Sequence, residues 1–290
     1  MKVITNPADL APFRGCTFVP TMGALHEGHA TLIRRENHGY VMGVHTDPRT
    51  GKAIDRPLHD TVVVSIFVNP TQFNDPADLA RYPRTLEADL AVCEAAGADA
   101  VFVPEVETIY PRGLRLPVPP LPAAATEPKL EDALRPGHFA GVCQVVARLF
   151  DLVKPYNAVF GEKDYQQLAV INAMTDALRL PVFILPIETV REPDGLAMSS
   201  RNRFIPPDKR SQAAAISRAL CEASAPANTT PAKAEAAMRH ILLEAGFAES
   251  DIQYAVVRDA VTLTPTTIGP CRSLIAVKLG PVRLIDNAPW

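Results

Sequence analysis

An α/β fold built on a parallel sheet follows from three features of this sequence. A short apolar run from Cys16 to Val19 enters a glycine-bearing turn and then the helically spaced Ala30-Thr31-Leu32-Ile33. Thr61-Val62-Val63-Val64-Ser65-Ile66-Phe67-Val68 is apolar and β-branched on both faces, as a strand covered on both sides of a parallel sheet must be. Strand and helix patterns then alternate to about residue 188, where the texture changes to alanine-rich helices followed by strands.

The first turn opens a helix, whose unpaired backbone N–H groups and dipole favour an anion. His26 and His29 stand three apart on one face of that first turn, placed to donate to one polyanion. Two plainer readings stand beside this one. A zinc pair would need a different spacing and a third ligand, and a purely structural pair would cap or pack. Gly23 and Gly28 favour the close approach of a ligand. Residues 36–60 form a polar insertion with turns at Asp47-Pro48 and Thr50-Gly51. In it Val41-Met42-Gly43-Val44 and Ala53-Ile54 are expected to make a surface hairpin, and His38, His45 and His59 are spaced too irregularly to favour a metal.

The strand over 61–68 ends in Asn69-Pro70-Thr71-Gln72-Phe73, a polar loop at the sheet edge where ligands bind open α/β folds. A helix over 86–96 closed by Gly97, then a strand over 100–103, repeat the βα step. Prolines make 112–128 an irregular, rigid loop. A helix over 138–152 puts Val142, Val145, Val146 and Leu149 on one face, and a strand over 157–160 follows. At that strand's carboxyl end lies Gly161-Glu162-Lys163-Asp164-Tyr165-Gln166-Gln167. There glycine gives access, Lys163 offers phosphate a charge and Asp164 suits ribose hydroxyls, although Glu162 and Lys163 equally suit a solvated helix start.

After a buried strand over 182–185, Leu196-Ala197-Met198-Ser199-Ser200-Arg201-Asn202-Arg203 combines hydroxyls with arginines, as a polyphosphate clamp or a helix cap with surface charges would. Helices over 209–223 and 231–245 and strands over 253–258, 274–279 and 282–285 complete the chain, with domains expected at 1–188 and 189–290. A net charge of −3 on 290 residues, 47% of them hydrophobic, argues against a nucleic-acid surface. The five cysteines, with no CxxC, imply neither a disulfide frame nor a zinc knuckle. No apolar run approaches the roughly 18 residues of a membrane span, and the opening Met1-Lys2-Val3-Ile4-Thr5-Asn6-Pro7 carries no signal-like core. A cytoplasmic protein with no membrane or nucleic-acid partner is expected.

Together, five blocks in one order resemble the pantoate–β-alanine ligase family. They are Met22-Gly23-Ala24-Leu25-His26-Glu27-Gly28-His29, Phe67-Val68-Asn69-Pro70-Thr71-Gln72-Phe73, Tyr82-Pro83-Arg84-Thr85, Gly161-Glu162-Lys163-Asp164-Tyr165-Gln166-Gln167 and Met198-Ser199-Ser200-Arg201-Asn202. The resemblance extends to Arg283-Leu284-Ile285-Asp286-Asn287, and the insertion at 36–60 departs from it.

The resemblance implies a Rossmann-like parallel sheet flanked by helices, of the HUP nucleotidyltransferase type, with a smaller C-terminal α/β domain that closes over the site, and a homodimer. It implies ATP-dependent joining of pantoate to β-alanine through pantoyl adenylate, with Mg²⁺ bound along with ATP. By the same resemblance Met22, Gly23, Ala24, Leu25, His26, Glu27, Gly28 and His29 bind ATP, as do Gly161, Glu162, Lys163, Asp164 and Val190. Met198, Ser199, Ser200 and Arg201 join them from the second domain. His26, His29, Lys163 and Arg201 are the catalytic candidates, and Gln72 and Gln167 hold pantoate through neutral amides that pair with hydroxyls without desolvating a charge.

Overall fold

The structure is a computed structural model that describes residues 1–34, 45–46, 53–54, 61–112, 116–227, 229–267 and 269–290. Backbone contacts divide the chain into two compact units. The first holds residues 1–120, 137–161 and 174–188, and the second holds 121–136, 162–173 and 189–290.

The first unit contains six strands: β1 Lys2–Ile4, β2 Thr17–Thr21, β3 Val62–Ile66, β4 Ala100–Phe102, β5 Asn157–Gly161 and β6 Phe183–Ile187. All pairings are parallel, in the order β1-β4-β3-β2-β5-β6. Every residue of β3 is buried, as its β-branched run requires. Phe18 and Val19, adjacent on β2, serve opposite faces: Phe18 meets the ring of Phe150 edge-on at 6.4 Å, while Val19 joins Ile33, Val64, Val101 and Ile187. Helices α1 Glu27–Arg34, α2 Leu86–Ala95 and α3 His138–Val153 belong to this unit.

The strand order reverses direction between β2 and β5, and such a switch point opens a crevice at the carboxyl ends of the strands. Pro20 contributes to it. β2 pairs with β3 through Thr21 but with β5 only at Thr17 and Phe18, and Pro20, lacking an N–H, cannot extend the second ladder.

In the second unit β7 Ile252–Asp259, β8 Cys271–Leu279 and β9 Val282–Pro289 form an antiparallel sheet in the order β9-β8-β7. Helix α4 Tyr165–Ala177 begins in this unit, which also holds α5 Arg210–Ala223 and α6 Pro231–Glu244. Alanines at 213, 219 and 234, with Ile216 and Met238, bring α5 and α6 close to Ile275 and Val277. The alternate residues Leu274 and Ala276 pack instead against Leu130, Tyr254 and Leu263, so both faces of the sheet are covered.

β8 and β9 run further than expected, to Cys271 and Pro289, because Arg272, Ser273, Asp286 and Asn287 are buried polar residues within the ladder. In the insertion His45–Thr46 pairs antiparallel with Ala53–Ile54, the second arm of the expected hairpin. The first arm, 41–44, lies outside the described residues. Among the described residues, no helix is long and apolar enough to cross a membrane.

Candidate active site

The turn after β2 is built around one buried carboxylate. Asp89, on α2 and 2% exposed, accepts from the backbone N–H groups of Ala24 at 3.0 Å and Leu25 at 2.8 Å, and from the Thr85 hydroxyl at 3.2 Å. The turn needs this support, because Ala24 has a φ of 52°, a conformation unfavourable for a residue with a Cβ. Gly23 is required twice over. Its φ is 82°, and a Cβ there would stand 2.9 Å from Asp89 Oδ2. The Thr21 hydroxyl donates to Ser65 O at 2.7 Å and accepts from Gly23 N–H at 3.3 Å, tying the turn to β3.

The imidazoles are fixed by the backbone as well. Gly28 N–H donates to His26 Nδ1 at 3.2 Å, and His26 N–H donates to His29 Nδ1 at 3.3 Å. A nitrogen that accepts carries no proton, so each neutral ring holds its proton on Nε2. The ring centroids are 4.1 Å apart, with the ring planes tilted by 53°. This revises the expectation of a turn with unpaired backbone N–H groups. Those of residues 23, 24, 25, 26 and 28 are engaged, those of 24 and 25 by Asp89 and the others within the turn.

Gln72 lies at the carboxyl end of β3, in a short helical turn over Pro70–Gln72. Its Oε1 accepts from Asn69 Nδ2 at 3.0 Å and its Nε2 donates to Met22 Sδ at 3.0 Å, so the amide is oriented and joined to the first motif. Asn69, itself buried, also donates to Gly141 O at 3.2 Å and accepts from the Tyr110 hydroxyl at 2.8 Å. His138 Nδ1–H donates to Gln72 O at 2.8 Å. Gly141 lets α3 come this near, since a Cβ there would meet Thr71 O at 2.5 Å. Gly161 ends β5, the strand across the switch point from β2.

The remaining candidates belong to the second unit. Glu162–Asp164 form one turn of 3-10 helix, with Lys163 Nζ 3.9 Å from the Asp164 carboxylate. Arg272 donates to Glu162 at 2.5 Å and stacks over the Tyr165 ring at 3.9 Å. Val190 O accepts from Met198 N–H at 2.9 Å, closing a loop whose Glu192 and Asp194 both pair with Arg210 at 2.6 Å. The Arg210 hydrogen bond holds the Asp194 carboxyl below the usual range. Ser199 caps the short helix Ser200–Phe204 through Arg201 N–H, as the cap reading of this segment has it.

The adjacent Gln166 and Gln167 separate in space. Gln166 is buried, accepting from Glu131 N–H and donating to Ala124 O and Asp132, while Gln167 stays half-buried. Sequence reasoning missed Asp89, whose signal was an acid four residues before Cys93 on the inward face of α2. It also missed Arg135, which lies among the charges of Glu131, Arg201, Asp164 and Arg283; burial pulls its guanidinium below the ordinary value.

The profile of the pantoate-beta-alanine ligase family matches residues 9–289. The chain belongs to the pantoate–β-alanine ligase family. A pantothenate synthetase of Nocardioides sp. is 49% identical over 279 residues, covering 93% of this chain and 77% of that one. The crystal structure of pantothenate synthetase from Thermus thermophilus has a TM-score of 0.86 at 39% identity, covering 99% of each chain. A pantoate-beta-alanine ligase from Francisella tularensis, complexed with beta-gamma ATP and beta-alanine, has a TM-score of 0.74 at 31% identity, covering 100% of this chain and 97% of that one. The parallel sheet with a smaller α/β unit is therefore the ligase family's fold.

Proposed function

We propose that the chain joins pantoate to β-alanine at the expense of ATP, through a pantoyl-adenylate intermediate. A pantoate carboxylate oxygen attacks the α-phosphorus of ATP, the bond to the bridging oxygen breaks, and pyrophosphate leaves. The β-alanine amine then attacks the acyl carbon, loses a proton and expels AMP, which keeps the carboxylate oxygen. The observation that carries this reading is the imidazole pair, with both Nδ1 atoms accepting backbone N–H groups and both protons held on Nε2. Such preorganised donors suit a phosphate chain that gains charge as the α-phosphoryl bond breaks. Pyrophosphate is a good leaving group, so charge stabilisation explains His26 and His29 better than proton donation does.

In this reading Met22 to His29, Gly161 to Asp164, Val190 and Met198 to Arg201 hold ATP. Asp164 serves the ribose, Val190 offers backbone groups to adenine, and Lys163, Ser199, Ser200 and Arg201 serve the phosphates. Gln72 and Gln167 hold pantoate, Gln72 through an amide already oriented by Asn69. Residues 189–290 act as the lid. Mg²⁺ enters on ATP as part of the substrate, since it keeps several waters and binds through phosphates with few protein ligands. A homodimer and a cytoplasmic location belong to the same reading, and sedimentation tests the first.

The test is to mix the purified chain with pantoate, ATP and Mg²⁺, add β-alanine later, and follow pyrophosphate and AMP separately. Pyrophosphate is expected before β-alanine is present and AMP only after it. AMP release that ignores β-alanine would favour a nucleotidylyl transfer that ends at a nucleotide-linked product.

A further inference from the structure

Asp286 and Asn287, adjacent on β9, are 3% and 2% exposed, a polar pair buried in the edge strand of a small sheet. Buried polar groups persist where partners satisfy them, and here the partners lie in or reach into the two segments assigned above to the nucleotide. Asn287 Nδ2 donates to the consecutive carbonyls Glu162 O and Lys163 O, both at 2.9 Å. Its Oδ1 accepts from Arg272 Nε at 2.6 Å, and Arg272 also holds the Glu162 carboxylate. The 3-10 turn that carries Lys163 and Asp164 is thereby gripped through its backbone.

Asp286 grips the other segment. It accepts from Arg191 at 2.6 and 3.1 Å, and Arg191 donates as well to Gly195 O at 3.0 Å, inside the loop that Met198 N–H closes onto Val190 O. The two residues are joined through the backbone too, since Asn287 N–H donates to Asp286 Oδ1 at 2.7 Å and Arg191 reaches Asn287 O at 3.4 Å. Successive side chains of a strand point to opposite faces, so one dipeptide can reach two segments.

We propose that Asp286 and Asn287 are positioning residues for ATP, together setting the placement of the 162–164 turn and the 190–201 segment. This rests on the reading that those segments hold the nucleotide. It also gives a use to the Arg283-Leu284-Ile285-Asp286-Asn287 block. The chemistry at position 287 is specific. Two carbonyl oxygens and a guanidinium require a group with two N–H bonds on one atom and an acceptor on the other. An aspartate of the same shape would keep the Arg272 bond but set an oxygen against both carbonyls.

The test compares N287D, D286N and the control W290F in the full chain. Trp290 follows the same strand, and its indole donates to Ala223 O at 2.8 Å. Thermal midpoint, kcat and the KM for each of ATP, pantoate and β-alanine are measured. N287D is expected to lower the thermal midpoint more than W290F does, because a buried oxygen then faces two carbonyls, and in the folded protein to raise the ATP KM on the order of tenfold while leaving the pantoate KM unchanged, whereas W290F leaves every KM unchanged. D286N is expected to give the same ATP-selective change, smaller in size. If N287D does not fold, D286N decides the question. An unchanged ATP KM in the folded variants, or an equal rise for all three substrates, overturns the inference while wild-type turnover leaves the proposed function standing. A wild-type chain that neither turns over nor binds ATP in a calorimetric titration overturns both.

Discussion

The turn that carries the histidines of the first unit is held by hydrogen bonds to backbone groups, whereas the segments that carry the candidate residues of the second are flanked by ion pairs as well. In the first, Asp89 accepts two main-chain N–H groups, and main-chain N–H groups fix both imidazoles. In the second, Arg191 pairs with Asp286, Arg210 with Glu192 and Asp194, Arg272 with Glu162, and Arg283 with Glu131. The difference matters when a partner is lost. A backbone-held turn loses geometry, but a buried ion pair leaves an uncompensated charge. Half-exposed pairs such as Arg210 with Asp194 contribute only about 0–1 kcal/mol, so the buried ones decide the behaviour of the second unit.

The largest expected effect follows from that. Glu131 is 6% exposed and accepts two bonds from Arg283 and one from the Tyr254 hydroxyl. Arg283→Met strands that carboxylate and is expected to remove roughly 3–5 kcal/mol of stability, measured by denaturant unfolding followed through Trp290, the single tryptophan. A loss below about 1 kcal/mol would place this pair with the weak surface ones. In the first unit, His29→Ala is expected to slow adenylate formation on the order of a hundredfold, or roughly 2.7 kcal/mol of barrier, with the fold intact. Adenylation close to wild type in that variant removes His29 from the mechanism.

Asp89→Asn follows in size. The amide keeps one acceptor but turns an NH₂ toward a donor, which is expected to cost roughly 1–3 kcal/mol and slow adenylation without touching a ligand. Pyrophosphate release in a single turnover, with unfolding measured alongside, separates the two losses, and an unaffected rate would show that the turn holds itself.

The smallest effect sharpens the comparison by pH. Burial pushes the thiols of Cys16 and Cys93 up to about 12 and that of Cys143 to about 11, from an ordinary value of 9.0. Folded chains then keep protons that unfolded chains release, so stability is full below about pH 9 and falls as pH rises toward those values. In the second unit burial raises the Cys271 thiol as well and, with Glu131 beside it, puts Tyr254 well above 10.0, so losses there begin above about pH 9 and continue above about pH 10. Stability measured by denaturant unfolding is therefore expected to fall as pH rises above about 9, and a stability unchanged between about pH 9 and 11 would contradict these assignments.

Local chemistry was legible in the sequence where a residue's own pattern decided the outcome. The β-branched run gave β3, Gly97 with its φ of 86° closed α2, and the prolines kept 116–122 irregular. What depended on distant partners was not legible. Residues 121–136 join the second unit because Glu131 meets Arg283 and Asp132 meets Gln166, contacts far apart in sequence. The extension of β8 and β9 rested on Arg272, Asp286 and Asn287, whose polarity argues against a buried strand until their partners are known. The histidine pair was visible, but its tautomer was not, because the two backbone N–H groups that set it depend on how the turn closes.

One measurement tests the central claim, that a pantoate carboxylate oxygen attacks the α-phosphorus of ATP, more directly than any variant. Pantoate labelled with ¹⁸O in its carboxylate is turned over with ATP, Mg²⁺ and β-alanine, and the products are weighed by mass spectrometry. The account expects one labelled oxygen in AMP and none in the released pyrophosphate. Label in inorganic phosphate, with ADP as the nucleotide product, would mean an acyl phosphate and would contradict it.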